Sequence, residues 1–246
     1  MAISFVDVSA NVSAASGDIT ITPPATITDD IMILGVSSHD NVEITLPAGW
    51  TIIDAKNNDT VLRATIAWKR CVGAEGAFTV THTAGDGIVG NVAVYRGVYS
   101  RGNPIYSFLL QASVGASSTV NCGGGTIYKS IVDGCMLLFL MHDSDNGVSS
   151  SQAEATLGNM TERFDNASTA GLDQAVSLAD FLETSASGKD VGNTYSFSGS
   201  KSFGADNNIG SGIVLLPGDS GEGYSNNYQF ASSVSAGIIS VTEKIK

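Results

Sequence analysis

The sequence predicts an all-β protein, an antiparallel, jelly-roll-like β-sandwich built from two pseudo-repeats. Three observations predict it. Apolar and polar residues alternate with period two in one segment after another, and convincing helical periodicity is absent. Clusters of Gly, Asp and Asn separate these segments at short spacing, as in sandwiches and jelly rolls. Segments of the first half also recur, in the same order, in the second.

Taken in order, Ile3 to Val8 is strand-like, and Ile19-Thr20-Ile21-Thr22 ends at Pro23-Pro24, which cannot donate to a ladder. Ile31 to Val36 is a buried run. Val42 to Leu46 alternates cleanly before the turn Pro47-Ala48-Gly49, and Val61 to Trp68, Phe78 to Thr83 and Ile88 to Tyr95 follow. Ile105 to Leu110 is strand-like within the connection. Cys135 to Met141 is the longest apolar run; its seven residues fall far short of the ~20 that span a bilayer, so it reads as a strand buried on both faces. Leu172 to Ser187 is the one helical candidate, with Leu172, Val176, Ala179 and Leu182 on a common face. The internal repeat demands a strand over most of it.

That repeat matches Asp29 to Leu34 with Asp133 to Leu138, and so Met32 with Met136, at an offset of 104. Gly49-Trp50-Thr51 returns as Asn159-Met160-Thr161 at 110, and Ala67-Trp68 as Asp180-Phe181 at 113. Phe78-Thr79-Val80 matches Tyr195-Ser196-Phe197 at 117, and Val92 to Gly97 matches Ile213 to Gly218 at 121. The offset only rises, as loop insertions between matched strands require. The chain therefore divides into an N-terminal strand or arm (1–19), a first repeat (20–97), a connection (98–124), a second repeat (125–218) and a C-terminal extension (219–246). One apolar sheet face needs a second sheet ~10 Å away to cover it. Two halves forming one sandwich is the favoured arrangement, with side-by-side domains as the alternative. Trp50, Trp68, Phe78, Phe181 and Phe197 are the candidate core.

Composition narrows the partners. Twelve Lys and Arg against 24 Asp and Glu leave a net charge of −12 and a pI near 4.4. No basic footprint exists for nucleic acid, and anionic membranes are disfavoured for the same reason. Only 15% of residues are charged, against about 25% in ordinary domains; polarity comes from Ser, Gly, Thr and Asn instead. The N-terminus has neither the basic region nor the apolar stretch of a secretory signal. Cys71, Cys122 and Cys135 are odd in number and widely spaced, which fits free thiols of a reducing cytoplasm better than a disulfide framework.

The segments ITPPATITDDIMIL, LPAGWTIID, IAWKR, FTVTHTAG and VAVYRGV, in this order, resemble a family of tailed-phage and prophage proteins sharing a Pro-Ala-Gly-Trp-Thr … Tyr-Arg-Gly-Val pattern. GNMTERFD and GSGIVLLPG resemble its closing half. The likeness covers roughly residues 20–218. It implies a β-sandwich component of a virion, made in the bacterial host, with other capsid or tail proteins as partners. It supplies no catalytic residue.

Motifs for chemistry are sparse. Gly218-Asp219-Ser220-Gly221 has the form found around the nucleophile of chymotrypsin-like proteases, but such a nucleophile needs a His base oriented by an Asp and an oxyanion hole. None of His39, His82 and His142 sits in the required context, and a turn of this composition after Pro217 is expected in any case. Gly123-Gly124-Gly125 lacks the Lys-Ser/Thr of a phosphate loop. Asp143-Ser144-Asp145-Asn146-Gly147 with Glu154 half-resembles a calcium loop, making Asp143, Asp145, Asn146 and Glu154 the candidate ligands of a calcium ion. The Gly comes one position early, and His39-Asp40-Asn41 fills the matching loop of the first repeat, so two polar loops at one strand end is the simpler reading. Tyr95, Tyr99, Tyr106, Tyr224 and Tyr228 offer a sugar-stacking platform, against a packing role in core and interface.

The reading with most support is a non-enzymatic structural protein exposed on a tailed-phage particle, as capsid decoration or part of the tail. A receptor- or glycan-binding module of a tail fibre, facing a host-surface glycan, is the alternative, and a hydrolase the weakest of the three. Ile3 to Val8 and Ile239 to Ile245 lie outside both repeats. One reading pairs them with their own sheet; the other makes at least one an arm that adds a strand to a neighbour. The arm implies a homo-oligomer, most simply a trimer.

Overall fold

The structure is a computed structural model and describes residues 2–83, 85–123, 127, 133–184, 194–202 and 205–218. Among them there is no helix. The first half holds β1 (Ser4–Val8), β2 (Val12–Ala14), β3 (Ile19–Ile21), β4 (Ile31–Ser38) and β5 (Ile44–Thr45). It continues with β6 (Thr51–Asn58), β7 (Leu62–Arg70), β8 (Phe78–His82) and β9 (Ile88–Arg96). The second half holds β10 (Ile105–Ala112), β11 (Thr119–Cys122), β12 (Cys135–Asp143), β13 (Ser149–Glu154) and β14 (Gly158–Asn159). Its last strands are β15 (Thr161–Ser168), β16 (Gln174–Glu183), β17 (Phe197–Lys201) and β18 (Asn208–Leu215). The stretch with helical spacing is therefore strand β16.

Among the described residues all strand pairings are antiparallel and form four sheets. The first half gives a large sheet β1-β9-β4-β7-β6, with β2 also on β9, and a small sheet β3-β8-β5. The second gives a large sheet β10-β18-β12-β16-β15 and a small one β11-β17-β13-β14. The molecule is an all-β sandwich, but not the one the sequence favoured, because each half supplies two sheets rather than one. Three apolar layers hold the four sheets together. The middle layer lies between the two large sheets and joins Ile31, Ile33, Ile66, Ala93 and Tyr95 to Met136, Leu138, Leu140, Leu178 and Ile213. The layer under the first small sheet joins Ile19, Ile21, Ile44 and Val80 to Met32, Leu34, Val36 and Val92. The corresponding layer of the second half joins Val120, Cys122 and Phe197 to Leu137, Phe139, Met141 and Val214. Central strands β4 and β12 are buried along their whole length because each is covered on both faces, which is why they read as continuous apolar runs.

Pairing registers sharpen the comparison of the halves. Ile31 pairs with Arg70 and Tyr95, and Met136 pairs with Leu182 and Leu215. Met32 faces the small sheet of its half while Met136 faces the opposite half. The strands proposed as counterparts occupy the same places in the two sheet orders, but Ile31, not Met32, is the positional counterpart of Met136. Asp29 (φ 69°) and Gly134 (φ 83°) are the matching left-handed residues before β4 and β12, with amides on the carbonyls of Cys71 and Glu183. Phe197, not Tyr195, matches Phe78: Phe78 pairs with Ile21 and Phe197 with Cys122. Thr51 pairs with Trp68 and Thr161 with Asp180, so when Thr51 is set against Thr161 the counterpart of Trp68 is Asp180, not the Phe181 that the repeat gave.

One further expectation is corrected. Of the five candidate core aromatics only Phe197 is fully buried; Trp50, Trp68, Phe78 and Phe181 are half-buried at the margins of the apolar layers. Trp50 lies against Phe78 with ring centroids 4.8 Å apart. The N-terminal segment follows the first of the two readings left open for it, with β1 and β2 paired to β9 of their own sheet. Phe5 closes edge-on over Tyr95 at 5.8 Å, and the Arg163 guanidinium lies 4.1 Å from its ring. Ile239 to Ile245 lies outside the described residues.

Candidate functional site

The polar end of central strand β12 and the segment after it are where the sequence placed its metal candidates, Asp143, Asp145, Asn146 and Glu154. Asp143 is the last residue of β12 and is buried with Lys201, the last residue of β17. The Lys201 ammonium contacts the Asp143 carboxylate directly, and the other carboxylate oxygen accepts the Asp145 amide at 3.1 Å. Burial pushes the Asp143 carboxyl up to about 7, with Lys201 pulling in the opposite direction. Asp145 accepts the amide of Asn146 at 2.6 Å. Glu154 lies at the far end of β13, where it holds the β13–β14 turn. It accepts the Thr156 and Leu157 amides at 2.8 and 2.9 Å, the Thr156 hydroxyl at 2.7 Å and the Ser196 amide at 3.1 Å. Asp143 and Glu154 are thus committed to different structural tasks. Among the described residues no group of three or more His, Cys, Asp or Glu is placed to hold a metal ion.

The first half has a related pair. His82, the last residue of β8, meets Asp40 just beyond β4, with Nε2 3.1 Å from a carboxylate oxygen. Each half therefore sets a cationic or basic side chain of its small sheet against a carboxylate at or just beyond the end of the central strand. Sequence reasoning found the carboxylates but missed Lys201. The available signal was its position in Phe197–Lys201, where alternation turns it inward beside Phe197 and Gly199.

A Ser–His contact also exists that no motif announces. Ser37 Oγ lies 3.0 Å from His142 Nδ1 and donates to the Ala175 carbonyl at 2.8 Å. The pair sits between the large sheets with both residues fully buried, and burial drives the imidazole down to about 3. The serine proton is already engaged, so the pair works as a polar pin between the halves rather than as nucleophile and base. A second pin joins Tyr95, whose hydroxyl donates to Asp180 at 3.1 Å, to Arg163, whose Nε donates to the same carboxylate oxygen at 2.8 Å. In a third, the Asn166 amide donates to Asn91 Oδ1 at 2.7 Å and to the Val12 carbonyl at 3.0 Å.

The remaining candidates disperse. Tyr95 and Tyr99 are buried and Tyr106 is half-buried, so these three form no open platform; Tyr224 and Tyr228 lie outside the described residues. Of Gly218-Asp219-Ser220-Gly221 only Gly218 is described, and its amide donates to the Gly97 carbonyl. Cys71, Cys122 and Cys135 are buried and in no disulfide. Burial raises the thiols of Cys71 to about 11 and Cys122 to about 12, leaving them protonated and unreactive at neutral pH. One shallow groove lies beside β5 and β8, lined by Thr45, Leu46, Pro47, Phe78, Thr79 and Thr81. No protein-family model matches the chain, and neither curated proteins nor solved structures yielded a similar protein.

Proposed function

We propose that this chain is a non-enzymatic structural protein of a tailed-phage particle, exposed as capsid decoration or as part of the tail, and that its halves are two copies of a jelly roll. The observation that carries the structural reading is how the conspicuous buried polar groups are used. Ser37–His142, Tyr95–Asp180–Arg163 and Asn91–Asn166 each tie one half to the other. Polar groups spent on fixing two halves together suit a rigid building block, since buried polar groups that pair across a contact favour the one packing that pairs them. The jelly-roll reading rests on the sheet orders, in which chain-distant β1, β9, β4 and β7 are neighbours in one sheet and β3, β8 and β5 in the other. The phage setting rests on the resemblance of residues 20–218 described above. The test is mass spectrometry and antibody labelling of purified particles from a host producing the chain. A fixed copy number per particle is expected, and absence from particles overturns the reading.

A second reading, a glycan-binding module, is favoured by the groove beside β5. Phe78 and Leu46 offer an apolar floor and Thr45, Thr79 and Thr81 offer neutral hydroxyls, a combination suited to the C–H face and hydroxyls of an uncharged sugar. Retention on an array of neutral glycans, lost in Phe78→Ala, would support it; a blank array would remove it.

A further inference from the structure

We propose that Lys201 and Asp143 condense into an intramolecular isopeptide bond, a covalent clamp between the two sheets of the second half. Asp143 ends β12 in the large sheet and Lys201 ends β17 in the small one, and these strands are not paired with each other. Their side chains touch directly and are almost wholly buried. Neither Lys201 Nζ nor Asp143 Oδ2 is hydrogen-bonded to any other described group. An ammonium has three protons to satisfy, and two charges enclosed in this way stay ionised only at a large desolvation cost. Passing one proton from Nζ to Oδ2 leaves a neutral amine against a neutral carboxyl, the two forms that condense to an amide. Burial favours the protonated carboxyl, which is why Asp143 rises to about 7, and the charge of Asp206 pushes the same way.

The surroundings of the carboxyl suit this reaction. Asp143 Oδ1 accepts the Asp145 amide at 3.1 Å, so a fixed N–H donor faces the oxygen on which negative charge develops. Nζ meets the other oxygen, Oδ2, which is the one that leaves. The Nζ lone pair attacks Cγ and forms the C–N bond while the carbonyl π pair moves to Oδ1. That pair then returns, the Cγ–Oδ2 bond breaks, and the hydroxyl takes a second proton from Nζ and departs as water. Nothing is oxidised or reduced, and no co-reactant is consumed. Between ions in water the condensation is unfavourable, but here the competing ionised state is desolvated. Other pairs lack one requirement each. Lys69–Glu75 is more open to water. His82–Asp40, the related pair of the first half, offers an imidazole, whose acyl derivative is itself activated and gives no lasting bond. Until it closes, Lys201–Asp143 remains the buried ion pair described above; once closed, it makes a ring of the chain between positions 143 and 201. The inference stands on this pair alone and is independent of the phage assignment.

The test is mass spectrometry of the full chain, denatured after it has been folded and incubated, followed by tryptic mapping. The wild type should weigh one water less than its sequence. Its map should contain one branched peptide joining the segment that holds Asp143 to the segment that holds Lys201, with no cleavage after Lys201. Lys201→Met and Asp143→Ala should each keep the full mass of their own sequences. Should either variant fail to fold, the wild-type map still decides. A folded wild type of full mass that trypsin cleaves after Lys201 overturns the proposal. Water lost instead through a succinimide at Asp133-Gly134 or Asp86-Gly87, with Lys201 still cleaved, also overturns it.

Discussion

The two halves of the molecule share a backbone plan and differ in what they place on it. Both large sheets put the first strand of the half beside the last, keep β4 or β12 at the centre, and bulge their edge strands at corresponding positions. On that common frame His82–Asp40 in one half corresponds to Lys201–Asp143 in the other. Gly35 lies across the middle layer from Leu140, one position being empty of side chain and the other filling it. The first small sheet ends at the two-residue β5, blunted by Pro47, whereas the second gains β14. What is kept is turn position, bulge position and burial on both faces; what varies is the chemistry of individual contacts. A backbone plan of this kind tolerates extensive exchange of side chains provided volume and patterning are preserved.

The buried pairs at the strand ends, Lys201–Asp143 and His82–Asp40, give the largest expected difference. Lys201 and Asp143 are 2% and 6% exposed in their side chains, while Asp40 in the other pair is 17% exposed. Removing one member of a buried pair leaves an uncompensated charge and costs about 3–5 kcal/mol. Lys201→Met should lose about that much in urea unfolding, and His82→Leu roughly half as much, because water reaches Asp40 more easily. Equal losses would show that the pairs are equivalent despite their different burial.

The same pair sets a pH comparison. The folded Asp143 carboxyl titrates near 7, above its ordinary value of 3.8, so the native state holds a proton that the unfolded chain has already released. The contribution of this group to stability is greatest at low pH, falls as pH rises from about 4 to about 7, and is level above that. Asp143→Asn should flatten this part of the stability profile, measured by urea midpoints at stepped pH. An unchanged slope would place its origin in other raised carboxyls, such as Asp165 or Glu162.

The contact between the halves comes next in size. A Cβ added at Gly35 would lie 2.7 Å from Leu140 Cδ2 and 3.2 Å from Val176 Cγ2. Gly35→Ala should cost about 1–3 kcal/mol through overpacking. Leu140→Ala, which opens the opposing space, should relieve much of that cost in the double variant, giving a coupling of ~1 kcal/mol or more in a double-mutant cycle. Additive losses would mean that the two central strands do not press on each other there.

How much of this was legible in the sequence depended on the surroundings of each strand. The apolar strands were readable, because turns at Pro47-Ala48-Gly49 and the Asp29/Gly134 pair punctuate short apolar runs, whereas the more polar β2, β6, β11 and β13 were not read as strands. Register was readable only where one face met water. Thr51 and Thr161 begin edge strands with charged and polar residues, and their alignment was correct. Ile31 to Val36 and Cys135 to Met141 are apolar on both faces, so a slip of one residue leaves their pattern unchanged while turning every side chain to the opposite layer. The candidate site was less legible still. Asp143 stood out as one of a run of oxygen ligands, but its partner Lys201 is 58 positions away along the chain, and only the pairing of β13 with β17 brings the strand ends together. The Ser37–His142 pin depends on the stacking of two sheets, a relation that no spacing within one strand encodes.

The smallest expected effect concerns the outer faces of the small sheets. The first exposes Thr20 and Thr79 as a directly opposed pair, their hydroxyl oxygens 3.3 Å apart. The second opposes Ser150 and Ser200, with oxygens 3.1 Å apart. Both pairs are exposed and share a hydrogen bond, so geometry alone would make them equivalent. They differ in the threonine methyl, which covers neighbouring strand and restricts the side chain to rotamers that fit the pleat. Cross-strand pairs of this kind contribute roughly 0.2–1 kcal/mol. Ser200→Thr should therefore raise the unfolding free energy, read from the urea midpoint, by about a few tenths of a kcal/mol, and Thr79→Ser should lower it by a similar amount. If both substitutions lie within error of the wild type, the methyl contributes nothing on these faces, and the difference between them reflects only what each face touches outside the molecule.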